Sequence, residues 1–192
     1  MIALYVVLAA LLRNEEQERA WARGIAGGDR QAFAQLFDAY APSLLSYLAS
    51  RGVGGADAED MVQQAFLTIW EKRDGLDANR SLRSFLFTIA YRRMLNHFRN
   101  QKHVVSETAW VLESREVSPD RSADNRQLAQ VIQAAVEELP ERRRRVFELC
   151  YLEEFSLKES AEILGIKAKT VENHLALALR DLRAVLKKYR NE

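Results

Sequence analysis

The stretch Leu157-Lys158-Glu159-Ser160-Ala161-Glu162-Ile163-Leu164-Gly165-Ile166, followed by Lys167-Ala168-Lys169-Thr170-Val171, has the spacing of two helices meeting at a tight turn. Such a hairpin needs a small residue where the helices approach, a glycine in the turn and a branched apolar anchor in the second helix. Ala161, Gly165 and Val171 supply these at steps of four and six, and Leu164 and Ile166 seal the turn. The chemistry open to this arrangement is recognition of duplex DNA, because a helix-turn-helix lays its second helix in the major groove. The plainer alternative, a helical hairpin in a purely structural bundle, would have to meet three separate constraints by coincidence. With Val171, Leu175, Ala178 and Leu182 inward at about 100° per residue, Lys169, Asn173 and Arg180 point outward and Glu172, Ala176 and Leu177 flank them. Lys and Asn near a helix start suit phosphate and base edges, and Glu172 can accept a hydrogen bond from a cytosine amino group. His174 lies near the buried face and reads as a packing residue. Arg142 to Arg145 form a basic run after Pro140; a solvated face explains such a run, yet four successive positions cover several directions, so at least one cation is expected on phosphate.

A second constellation lies earlier. From Ala78 to Ser106 there is no Asp or Glu, while Arg80, Arg83, Arg92, Arg93, Arg99 and Lys102 all fall there, among Phe85, Phe87, Tyr91 and Phe98. Cations for the backbone and ring faces for unstacked bases suit single-stranded nucleic acid, at about 1–3 kcal/mol per stacked base. Some of these rings must be core. The spacing assigns Phe85, Ile89 and Phe98 to it and leaves Phe87, Thr88 and Tyr91 for contact. Just before stand Asp57, Glu59 and Asp60, then Gln63 and Gln64, on an amphipathic helix. A solvated acidic helix start and a docking face for a basic partner account equally well for them.

The elements that must position these residues are helices. Eight Gly and three Pro among 192 residues are about half the usual share, which favours long uninterrupted helices over barrels or sandwiches. Phe33, Leu36, Phe37, Tyr40, Leu44, Leu45 and Leu48 follow three-and-four spacing, with Pro42 the one irregularity. Arg51 to Gly55 break that run. Asp57 is expected to cap the next helix, carrying Met61, Val62, Ala65, Phe66 and Ile69 on one face. Asp74-Gly75 marks a turn, and Ser81 or Ser84 starts a third helix reaching Phe98. Periodicity fades between His103 and Arg126, a polar tether with a short helical piece around Trp110. It returns at Leu128, Val131, Ile132, Ala135 and Leu139, and stops at Pro140. Helices over about 141–151, 157–164 and 168–188 complete the chain. The expected fold class is all-α, two small helical domains joined by a flexible linker: an apolar extension over 1–14, a first module over 15–102, the linker over 103–126 and a second module over 127–192.

Catalysis has little to stand on. His97, His103 and His174 share no metal-ligand spacing with Cys150, and neither a glycine-rich phosphate loop nor a nucleophile elbow occurs. No enzyme activity, cofactor or metal is expected. The single Cys excludes an internal disulfide framework and fits a reducing cytoplasm. Met1 to Leu12 are wholly apolar, but a helix of that length reaches about 18 Å against a bilayer core of about 30 Å. Arg13 follows the run instead of preceding it, unlike a signal peptide. This start reads as an extra turn on the body or as an upstream start codon, so no stable membrane insertion is expected.

With these residues in view, the chain resembles an RNA polymerase sigma factor of the sigma-70 family, in the extracytoplasmic-function (ECF) group. Asp57-Ala58-Glu59-Asp60-Met61-Val62-Gln63-Gln64-Ala65-Phe66-Leu67-Thr68-Ile69-Trp70 is similar to the polymerase-binding helix of region two, and Ser84 to Arg93 to its promoter-melting helix. Leu139-Pro140-Glu141-Arg142 and Thr170-Val171-Glu172-Asn173-His174 resemble region four. The resemblance implies a bacterial, cytoplasmic, DNA-binding initiation factor. Its partners would be core RNA polymerase (the clamp helices of the largest subunit, and the flap), promoter DNA both duplex and single-stranded, and an anti-sigma factor. It assigns Asp57, Glu59, Asp60, Gln63 and Gln64 to polymerase. It gives Arg83, Phe87, Thr88, Tyr91, Arg92, Arg93 and Asn96 to the non-template strand of the minus-ten element, where a base is flipped out into a pocket. Arg142, Arg143, Lys167, Lys169, Thr170, Glu172, Asn173 and Arg180 go to the minus-thirty-five duplex. The tether is too short for a region-three domain. Arg92 stands where many relatives carry Asn, and Glu172 and His174 replace more basic residues of some relatives. Two readings compete with this one: a stand-alone helix-turn-helix transcriptional regulator, and an adaptor tethered to membranes by Met1 to Leu12.

Overall fold

The structure, a computed structural model, describes residues 15–102 and 131–191. The apolar start, the tether with its helical piece around Trp110 and the beginning of the second module lie outside the described residues. The chain divides into two compact units on either side of Ser114. Among the described residues every regular element is helical.

In the first unit, α1 (15–26) turns through Gly27-Gly28-Asp29 into α2 (Arg30–Ala49), which Asp29 caps by accepting from the Gln31 and Ala32 amides. Gly24 lets the two helices approach closely: a Cβ there would stand 2.9 Å from that of Ala32. The spacing of Leu36, Tyr40, Leu44 and Leu48 buries one face of α2, and the helix runs through Pro42. α3 (Gly55–Glu71) begins two residues earlier than Asp57. Gly54 holds the cap position, and Asp57 sits in the first turn, where its carboxylate meets the positive end of the helix dipole. A single 3-10 turn over Arg73–Gly75 leads on to α4 (Leu82–Lys102), whose start Ser81 caps by accepting from the Ser84 amide.

A buried carboxylate ties this bundle together. Glu18 of α1 accepts from the Tyr40 hydroxyl of α2 and, at 3.0 Å, from the Leu82 amide that opens α4. It thereby satisfies a backbone donor that would otherwise be orphaned in a buried place.

The described part of the second unit begins in α5 (131–137), followed by Leu139-Pro140 and α6 (Glu141–Phe147), which widens into a π-helical turn over Glu148–Leu152. Next come α7 (Leu157–Leu164) and α8 (Ala168–Asn191). A capping box starts α7: Ser156 accepts from the Glu159 amide while Glu159 reaches back to the Ser156 amide. Ala135, Val136, Leu139, Phe147, Ala178 and Leu182 form one core.

Candidate nucleic-acid interface

The turn between α7 and α8 is built as the spacing of Ala161, Gly165 and Val171 requires. Gly165 closes α7 at φ +67°, a left-handed conformation that a side chain disfavours, and the Gly165 and Ile166 amides both donate to the Ala161 carbonyl. Ala161 and Val171 pack with Val146, joined by Cys150, Leu164 and Leu175. Burial pushes the Cys150 thiol up, against the opposing hydrogen bond with Ser160.

Lys167, Lys169, Glu172 and Asn173 are exposed around the start of α8, with Thr170 half-buried among them. Lys169 Nζ pairs with Glu172 Oε2 at 2.9 Å. His174 is half-buried, its Nδ1 enclosed without a hydrogen-bond partner. Arg143 and Arg180 belong to a different group. Both donate to Asp181, at 2.6 Å and 3.2 Å, about 18 Å along α8 from Lys169. Burial raises the Asp181 carboxyl, but the hydrogen bonds and charges of Arg180 and Arg143 outweigh it and hold the group below its ordinary value. In the arginine run, Arg145 pairs with Glu141, Arg144 reaches the Leu139 carbonyl and Arg142 is exposed.

In the first unit the expected division of the aromatics is reversed. Phe87 is wholly buried, its ring 5.1 Å from that of Tyr47, and Tyr91 is buried too. Phe85, Ile89 and Phe98 are only half-buried. Neither Phe87 nor Tyr91 can stack on a base from these positions. The cause is that α4 packs against both α2 and α3, which closes about half of its circumference. The open face carries Arg92, Leu95, Asn96 and Arg99, flanked by Phe85 and by Thr88, whose hydroxyl donates to the Ser84 carbonyl. Arg92 and Asn96 are therefore accessible as expected. Arg83 lies over the Phe87 ring at 5.3 Å, and Arg93 reaches Gln64 Oε1 at 3.5 Å.

On α3, the acidic and glutamine residues divide. Asp60, Gln63 and Leu67 follow one another along the exposed line, whereas Asp57 and Gln64 turn toward α4, meeting His97 at 3.8 Å and Arg93. Glu59 is exposed on the other flank. Beside Gln63 opens an apolar groove of about 450 Å³ between α2 and α3, lined by Arg30, Phe33, Phe37, Phe66, Leu67 and Trp70. Phe37 and Leu67 stay substantially exposed, an unusual state for large apolar side chains placed side by side. The sequence reading missed this groove because Phe33 and Phe37 share the three-and-four spacing of the core. The signal that could have found them is their lying one helical step off the Leu36–Tyr40–Leu44 stripe.

Comparison with known proteins decides the family. The family description "Sigma-70 region 2" matches residues 36–104 and "Sigma-70, region 4" matches residues 129–182. The RNA polymerase sigma factor NccH of Alcaligenes xylosoxydans xylosoxydans is 31% identical over 176 residues, spanning 88% of this chain and 94% of that protein. This chain belongs to the sigma-70 family. Its group is ECF: the ECF sigma factor SigW of Bacillus subtilis is 30% identical over 172 residues, 83% of this chain and 91% of SigW. The solved structure of CnrH in complex with the cytosolic domain of CnrY is 27% identical and covers 90% of this chain and 98% of CnrH, with a TM-score of 0.62. The protein is thus a sigma factor acting in transcription initiation, with region 2 in the first unit and region 4 in the second. Among the described residues of this sigma factor, no group of three or more His, Cys, Asp or Glu is placed to hold a metal ion, and no helix is long and apolar enough to cross a membrane.

Proposed function

We propose that this sigma factor docks core RNA polymerase through α3, opens and reads the minus-ten element with the outward face of α4, and reads the minus-thirty-five duplex with the head of α8. The observation that carries the docking assignment is the continuity of Asp60, Gln63 and Leu67 with the groove of Phe33, Phe37, Phe66 and Trp70. An acidic rim beside an exposed apolar cleft suits a partner helix that carries basic and aliphatic residues, because charge gives orientation and the cleft gives buried area. Asp57, Glu59 and Gln64 support this face from its edges.

For the minus-ten strand, Thr88, Arg92 and Asn96 are the accessible residues. Arg83 and Arg93 stand at the borders, and Phe87 and Tyr91 act as packing beneath them. For the duplex, Lys167, Lys169, Thr170, Glu172 and Asn173 meet base edges and adjacent phosphates. Arg142, Arg143 and Arg180 serve phosphates further along. The chain has no catalytic role of its own: polymerase performs nucleotidyl transfer, and the sigma factor works in the cytoplasm, where polymerase and promoters are. An anti-sigma factor is a further partner, by likeness to CnrH with CnrY.

Co-elution with bacterial core RNA polymerase on size exclusion tests the docking face. Wild type is expected to co-elute, and Asp60→Arg to lose co-elution while keeping its helical circular-dichroism spectrum. Intact binding by a folded Asp60→Arg protein removes the docking assignment. Strong, two-fold-symmetric operator binding by the chain without polymerase makes it a stand-alone regulator instead.

A further inference from the structure

Resting on the reading of α8 as the duplex-reading helix, we propose that Lys169 and Glu172 act as one preassembled unit that reads a single G·C base pair. The ammonium donates to the guanine and the carboxylate accepts from the amino group of the paired cytosine. Both side chains lie in the first two turns of α8 and are well exposed, 73% and 54%, so the pair contributes little to folding. Its geometry suits a base pair better than it suits a scaffold.

In the major groove, guanine O6 and cytosine N4 stand side by side, one an acceptor and the other a donor, and they are hydrogen-bonded to each other. Their separation is therefore that of an ordinary N–H···O bond, about 2.9 Å. Lys169 Nζ and Glu172 Oε2 stand at the same 2.9 Å. Laid over the G·C edge, donor meets acceptor and acceptor meets donor, and the ion pair need not open. A carboxylate oxygen can accept two hydrogen bonds, and the ammonium carries three donors, so neither contact displaces the existing one.

The choice of G·C over A·T follows from the neighbouring atoms. Guanine offers the ammonium two acceptors, N7 and O6. An A·T pair offers it a single acceptor at any one purine or pyrimidine edge, with the thymine methyl beside O4. The Lys169 charge also explains how a carboxylate is tolerated in a groove walled by phosphates. Glu172 alone would be repelled there, whereas the pair is close to neutral.

The test is selection from a randomised upstream duplex by core polymerase carrying this sigma factor, followed by affinity measurements on the selected duplex. Wild type is expected to retain G·C at one position and to lose about tenfold in affinity when that pair becomes A·T. Lys169→Met and Glu172→Gln should both relax that same position. Glu172→Gln should shift it toward A·T, because an amide pairs with adenine N6 and N7. The double variant should discriminate no worse than either single one. The proposal is overturned if the two substitutions relax different positions, or if neither alters base preference while Asn173→Ala does. Should wild-type holoenzyme show no preference anywhere in the upstream duplex, the assignment of α8 itself falls and this proposal with it. Circular dichroism of each variant verifies that the fold is retained.

Discussion

α4 and α8 are long helices of 21 and 24 residues, each carrying the residues proposed to meet nucleic acid in its own unit, yet they are buried in different ways. On α8 the buried positions Val171, Ala178 and Leu182 keep to one stripe, and Lys169, Glu172 and Asn173 at the helix head are open. On α4, Leu82, Leu86, Phe87, Ala90, Tyr91 and Met94 spread over about half the circumference. The contrast teaches where aromatics can be trusted as contact residues. A helix held from one side shows its working face in its periodicity. One wedged between two neighbours hides it, because both neighbours draw apolar side chains and no single stripe remains.

Substitutions can break this contrast, and the largest effect is expected at the buried ring. Phe87→Ala should cost about 3–5 kcal/mol of first-unit stability, measured by chemical denaturation, because a wholly enclosed ring leaves a cavity behind. A cost below about 1 kcal/mol would restore Phe87 as an exposed contact. Glu18→Leu comes next at about 1–3 kcal/mol, because the Leu82 amide and Tyr40 hydroxyl lose their buried acceptor. In the second unit, Gly165→Val should cost about 1–2 kcal/mol from the left-handed backbone alone, since nothing lies within 4 Å of the added Cβ.

Asp181 adds a dependence on pH. Its carboxyl is held below the ordinary value in the folded protein, so its contribution is present above the unfolded pKa, near 3.8, and fades as pH falls through the depressed folded value. Thermal melts of wild type should therefore lose more stability below about pH 4 than melts of Asp181→Asn. Equal losses would mean that Arg143 and Arg180 do not hold the carboxylate. The smallest effect on stability belongs to the open face of α4. Arg92→Ala should stay within about 0.5 kcal/mol of wild type in denaturation, yet reduce promoter opening by polymerase in permanganate footprinting. Normal opening would move the strand-reading role to another face of α4.

The helix-turn-helix was legible residue by residue. Ala161, Gly165 and Val171 are local constraints, set by one close approach, one backbone conformation and one anchor within eleven residues. Ser81 and Ser84 were both legible as helix starts, and the hydrogen bond from the Ser84 amide to Ser81 decides for Ser81. Asp57 misled because an acidic residue favours both the cap and the first turn, and Gly54 takes the cap. The linear order of apolar and charged residues determined the all-helical composition, the two modules, the likeness to the sigma-70 family and the outward line of Lys169, Asn173 and Arg180. Only the tertiary structure decided that Phe87 and Tyr91 lie inside, that Asp57 and Gln64 turn toward α4, that Arg143 and Arg180 share Asp181, and that Phe33, Phe37, Phe66 and Trp70 frame a groove. Each of those depends on which helix lies alongside, and periodicity within one helix carries no record of its neighbours.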